Sequence, residues 1–234
     1  HRRAPRPWQA SDFEKLPPLV CKKRVDTQQE SYKNKLVARI EFMRHLRATY
    51  GNETRAWRRI LDRDCNFRLT KSSLRQYMRQ HDLDIDFKAL WQGLDKDGNG
   101  EINLEEFNSK SASELARFRA WAHEQFGSCA ALWDFPKVAM ARLKPNDRNT
   151  LWSSDKKVLL GNFAEAVREL GWRSDAGWML YRSLDLYGCA FLSLPDLWWL
   201  DAWDPPEWLV ERPDPVALME LQTLIGAVFP QRLT

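Results

Sequence analysis

The sequence predicts an all-α protein made of two lobes, each a pair of helix-loop-helix units joined by a short β-bridge. Three observations carry that expectation. Apolar residues recur at spacings of three and four along much of the 234-residue chain, the period of a helix with one buried face. Loop-like segments break those stripes at residues 62 and 95, 33 apart, and again at 151 and 185, 34 apart. Finally, Phe42, Tyr50, Gly51 and Trp57 recur as Phe118, Phe126, Gly127 and Trp133, all at an offset of 76, which argues for duplication of a paired unit.

Residues 1–27 hold four of the twelve prolines and two cationic clusters, Arg2, Arg3, Arg6 and Lys22, Lys23, Arg24. Proline fixes φ and removes a donor, so this stretch reads as an extended basic arm with Trp8, Phe13, Leu16, Leu19 and Val20 as apolar anchors. A helix is expected from Gln28 to Tyr50 on the stripe Leu36, Ile40, Met43, Leu46 and Tyr50, stopped by Gly51 and Asn52. A second helix, Glu53 to Leu61, leads into a loop at 62–73, with the first lobe spanning 28–110.

The stretch Asp95 to Glu106, DKDGNGEINLEE, resembles the EF-hand calcium loop at each defining position. Ca²⁺ takes six to eight oxygen ligands, so a loop must wrap oxygens around one point. The resemblance implies side-chain ligands from Asp95, Asp97 and Asn99, and the backbone carbonyl of Glu101. It also implies Asn103, directly or through a water, and both oxygens of Glu106. Gly100 falls where the turn needs a positive φ, and Ile102 is the apolar residue that pairs with a sister loop. The implied cofactor is one Ca²⁺, with Mg²⁺ a competitor for the same oxygens.

The loop at 62–73 keeps Asp62, Asp64 and Asn66 at the first three ligand positions and Leu69 at the bridge. Phe67 replaces the turn glycine, Ser73 replaces the bidentate glutamate, and Arg63 and Arg68 add positive charge. It is expected to be empty and to supply the bridge. The second lobe, 111–203, opens where Ser111 and Glu114 read as a capping box. Its loops, about 151–162 and 185–196, are more decayed. Leu151, Ser153 and Asn162 give the first almost no charge, and Val158 is its bridge residue. In the other, Asp185 and Asp196 survive and Leu192 holds the bridge, but Tyr187, Cys189 and Ala190 replace ligands and turn glycine.

In plan, residues 42–200 resemble the calmodulin-like superfamily. In their tryptophan-rich, partly decayed repeats they are similar to the divergent EF-hand proteins of single-celled algae and other protists. The tail, 204–234, opens on a Pro-rich turn. A helix follows from Asp214 and Pro215, with Val216, Met219, Leu221, Leu224, Ile225 and Val228 on a broad apolar face. Such a helix closes its own lobe or binds a partner protein.

Other chemistry is argued against. The net charge is +4, of which residues 1–24 carry +5 (seven Lys/Arg, two acids), so the globular part is near neutral. That, with tryptophans on helices rather than interleaved with bases on strands, argues against nucleic-acid binding. No apolar run reaches the ~18–20 residues needed to cross a bilayer. Cys21, Cys65, Cys129 and Cys189 lie far apart without a CxxC pair and read as reduced packed thiols. His1, His45, His81 and His123 show no ligand-like spacing with one another or with cysteine. There is no GxSxG, no P-loop and no placed nucleophile with base, so no enzyme is expected. The compartment stays open, with an intracellular setting favoured. Two readings follow: a calcium-binding protein that contacts partner proteins through the arm, the lobes or the C-terminal helix, and a constitutive adaptor subunit of a large assembly.

Overall fold

Helices dominate, as the apolar spacing predicts. The computed structural model describes residues 18–142, 157–211 and 215–228, and among them the protein is all-α, with two short antiparallel strand pairs. The first seventeen residues of the expected arm and residues 151–156 of the expected third loop lie outside the described residues. The chain divides into two units. The first holds residues up to Arg63 with Arg68–Phe107, and the second holds Asp64–Phe67 with Asn108 onward.

The first unit is organised on α1 (Pro18–Tyr50). The sequence predicts an extended arm through residue 27, whereas the helix starts ten residues before Gln28. Proline at the first helical position has no N–H to leave unpaired and a φ already set for the helix, and the Lys/Arg run behind it consists of good helix formers. The buried stripe is also displaced. Ala38, Phe42, Met43 and Leu46 are buried, while Leu36 and Ile40, expected in the core, are exposed. Helix α4 (Phe87–Leu94) comes close to α1 at Lys35: a Cβ on Gly93 would lie 2.9 Å from the Lys35 carbonyl oxygen.

Helix α1 ends at Gly51, φ +84°, whose N–H donates to the Arg47 carbonyl. Asn52 then caps α2 (Glu53–Ala56) through its side-chain oxygen, which accepts from the Arg55 N–H at 2.7 Å. The expected helix to Leu61 instead widens into a π-turn over Trp57–Leu61. That widening seats the Trp57 indole, fully buried, 5.1 Å from Phe107 and lets its Nε1–H donate to Asp62 at 3.2 Å. Strand β1 (Arg68–Thr70) leads into α3 (Lys71–Gln80), and β2 (Glu101–Asn103) into α5 (Leu104–Phe107). The strands pair antiparallel with Leu69 opposite Ile102, both fully buried, as the bridge positions predict.

The second unit repeats the plan. Helix α6 (Ser109–Phe126) ends at Gly127, φ +87°, and Ser128 caps α7 (Cys129–Asp134), its side chain accepting from the Ala131 N–H. The 76-residue repeat therefore places equivalent groups in equivalent roles. Phe118 matches Phe42 in full burial, Gly127 matches Gly51 in the left-handed stop, and buried Trp133 matches Trp57. Helix α8 (Pro136–Met140) follows. Strand β3 (Lys157–Leu159) with α9 (Leu160–Glu169), and α10 (Gly177–Leu184), then β4 (Phe191–Ser193) with α11 (Leu194–Asp201), complete the unit. Val158 pairs with Leu192, again at the predicted positions.

Ser111 is not the cap of α6. Asn108 is, accepting from the Ser111 N–H at 3.1 Å, and Ser111 and Glu114 are buried within the helix. Glu114 pairs with Arg117 and accepts from Ser174 at 2.5 Å, so it ties α6 to the turn before α10. Phe67, in the second unit, has φ +60° and lies between Trp199 and Trp203 at centroid distances of 5.3 and 5.8 Å. Packing of its ring offsets the cost of a left-handed non-glycine residue. Helix α12 (Pro215–Val228) has Glu220 as its only charge. Its side chains from 216 to 225 are exposed, including Val216, Leu218, Met219, Leu221, Leu224 and Ile225.

Candidate metal centre

The segment between α4 and β2 is shaped by its own short side chains. Asp86 caps α4, accepting from the N–H groups of Lys88 and Ala89, and the helix delivers Asp95 to its C-terminal end. The backbone then turns through Gly98 and Gly100, both at positive φ (+74° and +89°). Nothing lies within 4 Å of a Cβ built on Gly100, so glycine is required there by conformation and not by space. Asp97 accepts from the Asn99 N–H at 3.0 Å, and Asn99 in turn accepts from the Glu101 N–H at 2.8 Å. These local bonds fold the chain into a ring before any ligand is considered.

Three carboxylates converge inside that ring. Oxygens of Asp95, Asp97 and Glu106 all lie within 4.8 Å of one another. Glu106 is buried and reaches back across the loop. Its Oε1 accepts from the N–H groups of Lys96 (2.9 Å) and Asp97 (3.3 Å), and its Oε2 from that of Asn103 (3.1 Å). Asp95 uses Oδ2 to accept from the Trp91 indole N–H at 2.8 Å and the Gly100 N–H at 3.3 Å. Its Oδ1 is buried and accepts nothing. A buried carboxylate oxygen without a donor is costly, and beside two further carboxylates it suits a cation. The negative field is felt at Glu105, whose carboxyl is held above its ordinary value by burial first, with Glu106 and Asp97 adding to it. The three residues can hold a metal ion, and their all-oxygen donor set favours a hard one.

Of the six predicted ligands, the structure thus gathers Asp95, Asp97 and Glu106. Asn99 turns its side chain to the loop itself, its amide donating to Asp97 Oδ2 at 2.8 Å. The Glu101 side chain pairs with Arg68 at 3.1 Å across the strands, which leaves its expected contribution to the backbone carbonyl. Asn103 donates its N–H to Glu106. Sequence reasoning did not find Arg39. Its guanidinium donates to the Gly93 carbonyl (3.1 Å) and to those of Glu106 (3.2 Å) and Phe107 (3.1 Å), tying α1 to both helices that flank the loop.

In the loop at 185–196 the two carboxylates are taken up by protein donors. Asp185 accepts from the N–H groups of Gly188 (2.8 Å) and Cys189 (3.2 Å) on Oδ1 and of Ala190 (3.0 Å) on Oδ2. Asp196 is turned to the Ser193 N–H and hydroxyl as a helix cap. Ala190 occupies the turn at φ +62°. At 62–73, Asp62 accepts from the Trp57 indole, Asp64 and Asn66 are exposed, and Ser73 donates its N–H to Thr70 as part of a cap. Among the described residues, only one other group of acidic, histidine or cysteine side chains converges as the carboxylates of 95–106 do: His123, Cys129 and Asp201. Residue spacing gives no sign of this group, because Asp201 is 72 residues beyond Cys129 and only folding brings them together. No family model matches the chain, and no curated protein or solved structure matches it.

Proposed function

We propose that the chain is a calcium-binding EF-hand protein that works by contacting partner proteins, with one Ca²⁺ held by the loop Asp95–Glu106. The observation that carries the reading is the buried, donorless Oδ1 of Asp95, set within 4.8 Å of oxygens from Asp97 and Glu106. Side chains of Asp95, Asp97, Asn99 and Glu106, the carbonyl of Glu101 and Asn103 would hold the ion. Supporting it are the helix–loop–strand–helix order on both sides of a two-strand bridge and the left-handed glycine at position 100. Partner contact is supported by the exposed apolar side chains of α12 and by Tyr32, Leu36, Val37 and Ile40 on α1, a larger apolar display than scattered surface residues give.

A second reading, a constitutive adaptor subunit in which the EF scaffold is mostly metal-free, is favoured by the closed loop at 185–196, whose carboxylates are already saturated by backbone and cap donors. One experiment addresses both. Ca²⁺ and Tb³⁺ titrations of the full chain, read by tryptophan fluorescence and sensitised Tb³⁺ emission, are expected to show one equivalent, with Trp91 as the donor because its indole is bonded to Asp95. Asp95→Ala abolishes that signal. Absence of binding, or binding that survives Asp95→Ala, overturns the calcium reading. Recovery of the same partners with calcium and with chelator selects the adaptor.

A further inference from the structure

Three donor atoms of different kinds meet in the second unit. The His123 imidazole stands in the last turn of α6, Cys129 is the first residue of α7, and Asp201 is the last of α11. A ring nitrogen of His123, the Cys129 sulfur and an Asp201 oxygen lie within 4.8 Å of one another. The carboxylate is fixed from below: Asp201 Oδ1 accepts from the Cys129 N–H and Oδ2 from the Ala130 N–H, each at 2.8 Å. His123 Nε2 lies 2.8 Å from the same Oδ1. The Cys129 thiol is fully buried and free of any disulfide. A cysteine kept only for its volume sits among apolar side chains, yet this one is packed beside a carboxylate and an imidazole.

We propose that His123, Cys129 and Asp201 form a transition-metal site for Zn²⁺, with a water as the fourth ligand. Sulfur, nitrogen and oxygen together are the donor set zinc accepts, and three protein ligands with one open position is a recurrent zinc arrangement. Thiolate and imidazole exclude Ca²⁺ and Mg²⁺, which take oxygen ligands, so this site is chemically separate from the loop at 95–106. The geometry needs little adjustment. Zinc about 2.0–2.1 Å from both nitrogen and oxygen holds them roughly 3.3 Å apart in a tetrahedron, about half an ångström more than the present His123–Asp201 contact. Charge balances as well: Zn²⁺ with one thiolate and one carboxylate is neutral. The thiol proton leaves to solvent, and the neutral imidazole keeps its proton on the nitrogen away from the ion.

The test uses the full chain, stripped of metal under reducing conditions and titrated with Co²⁺, which reports thiolate ligation by a near-ultraviolet charge-transfer band. One equivalent is expected, displaced by Zn²⁺ and unchanged in Glu106→Gln, which separates it from the calcium loop. The exposed Cys65 and Cys189 are controlled by the Cys65→Ser/Cys189→Ser variant, which is expected to keep the band. Cys129→Ser loses the band, and His123→Gln weakens binding at least about tenfold while helical circular dichroism is retained. Should Cys129→Ser not fold, His123→Gln decides. No band, or one that survives in His123→Gln at wild-type affinity, overturns the site.

Discussion

Replacing Glu106 by Gln tests the candidate centre because it keeps the shape and removes one charge. In the metal-free protein two effects oppose. Glu106 faces carboxylates of Asp95 and Asp97 within 4.8 Å, and each such pair repels by about 1 kcal/mol in a water-like dielectric and about 3.5 kcal/mol at an effective dielectric of 20. Relief of both is worth roughly 2–7 kcal/mol. Against it, Glu106 accepts three backbone N–H groups. A glutamine turns its NH₂ towards that of Asn103, losing a charge-assisted bond of about 1.5–3 kcal/mol, and weakens the other two. The terms nearly cancel, so in chelator the variant is expected to melt within a few degrees of the wild type. With calcium the two diverge. At a hundred times the dissociation constant, binding stabilises by about 2.7 kcal/mol, or about 5–10 °C for a chain of this size. One carboxylate charge about 2.4 Å from a divalent ion is worth about 3.5 kcal/mol even in bulk water, more than a hundredfold loss of affinity requires. At the same calcium level that loss leaves the variant about 0.4 kcal/mol, roughly 1 °C. Differential scanning calorimetry with and without calcium reads both numbers. An equal calcium shift in the two proteins, or none in the wild type, rules out Glu106 as a calcium ligand.

Three further outcomes are expected. Asn52→Ala and Ser128→Ala each remove a cap bond in equivalent places of the repeat and cost about 1 kcal/mol apiece, adding in the double variant, as urea unfolding would show. Phe67→Ala loses the ring between Trp199 and Trp203 without gaining a glycine's freedom at φ +60°. It is expected to cost about 3–5 kcal/mol and to shift the tryptophan emission maximum. His45, which contacts the Tyr77 hydroxyl at 3.0 Å, has its pKa lowered from 6.5 by burial first and by His81 second. The unfolded chain therefore binds the proton more readily. This contribution to stability is full above pH 6.5 and is lost as pH falls through the lower folded value, and His45→Gln is expected to flatten that limb of a stability–pH curve.

Much of the site could be read in the residues. The alternation of Asp95, Asp97 and Asn99, the glycine at 100 and the reach of Glu106 are local, because an Asx turn and a left-handed residue act over two or three positions. The bridges Leu69–Ile102 and Val158–Leu192 were readable for the same reason, each being fixed by its distance from a loop start. The stripe of α1 was readable only in part, through Met43 and Leu46, which are buried as expected. Leu36 and Ile40 have the right period for a core, but the face of α1 that is buried carries Ala38, Phe42, Met43 and Leu46, and α4 approaches the helix at Lys35. The start of α1 was not readable, where composition spoke for an arm and a proline at the first position spoke for a helix.

The all-helical class, the two bridges, the repeat and the convergence of Asp95, Asp97 and Glu106 could be read from the residues alone, since each depends on groups a few residues apart or on a period kept along the chain. Packing of the folded chain sets the exposure of Leu36 and Ile40, the clamp of Arg39 on the helices flanking the loop, the place of Phe67 against Trp199 and Trp203, and the meeting of Asp201 with His123 and Cys129. Those contacts join positions that no spacing rule relates, and it is the packing of helices that sets them.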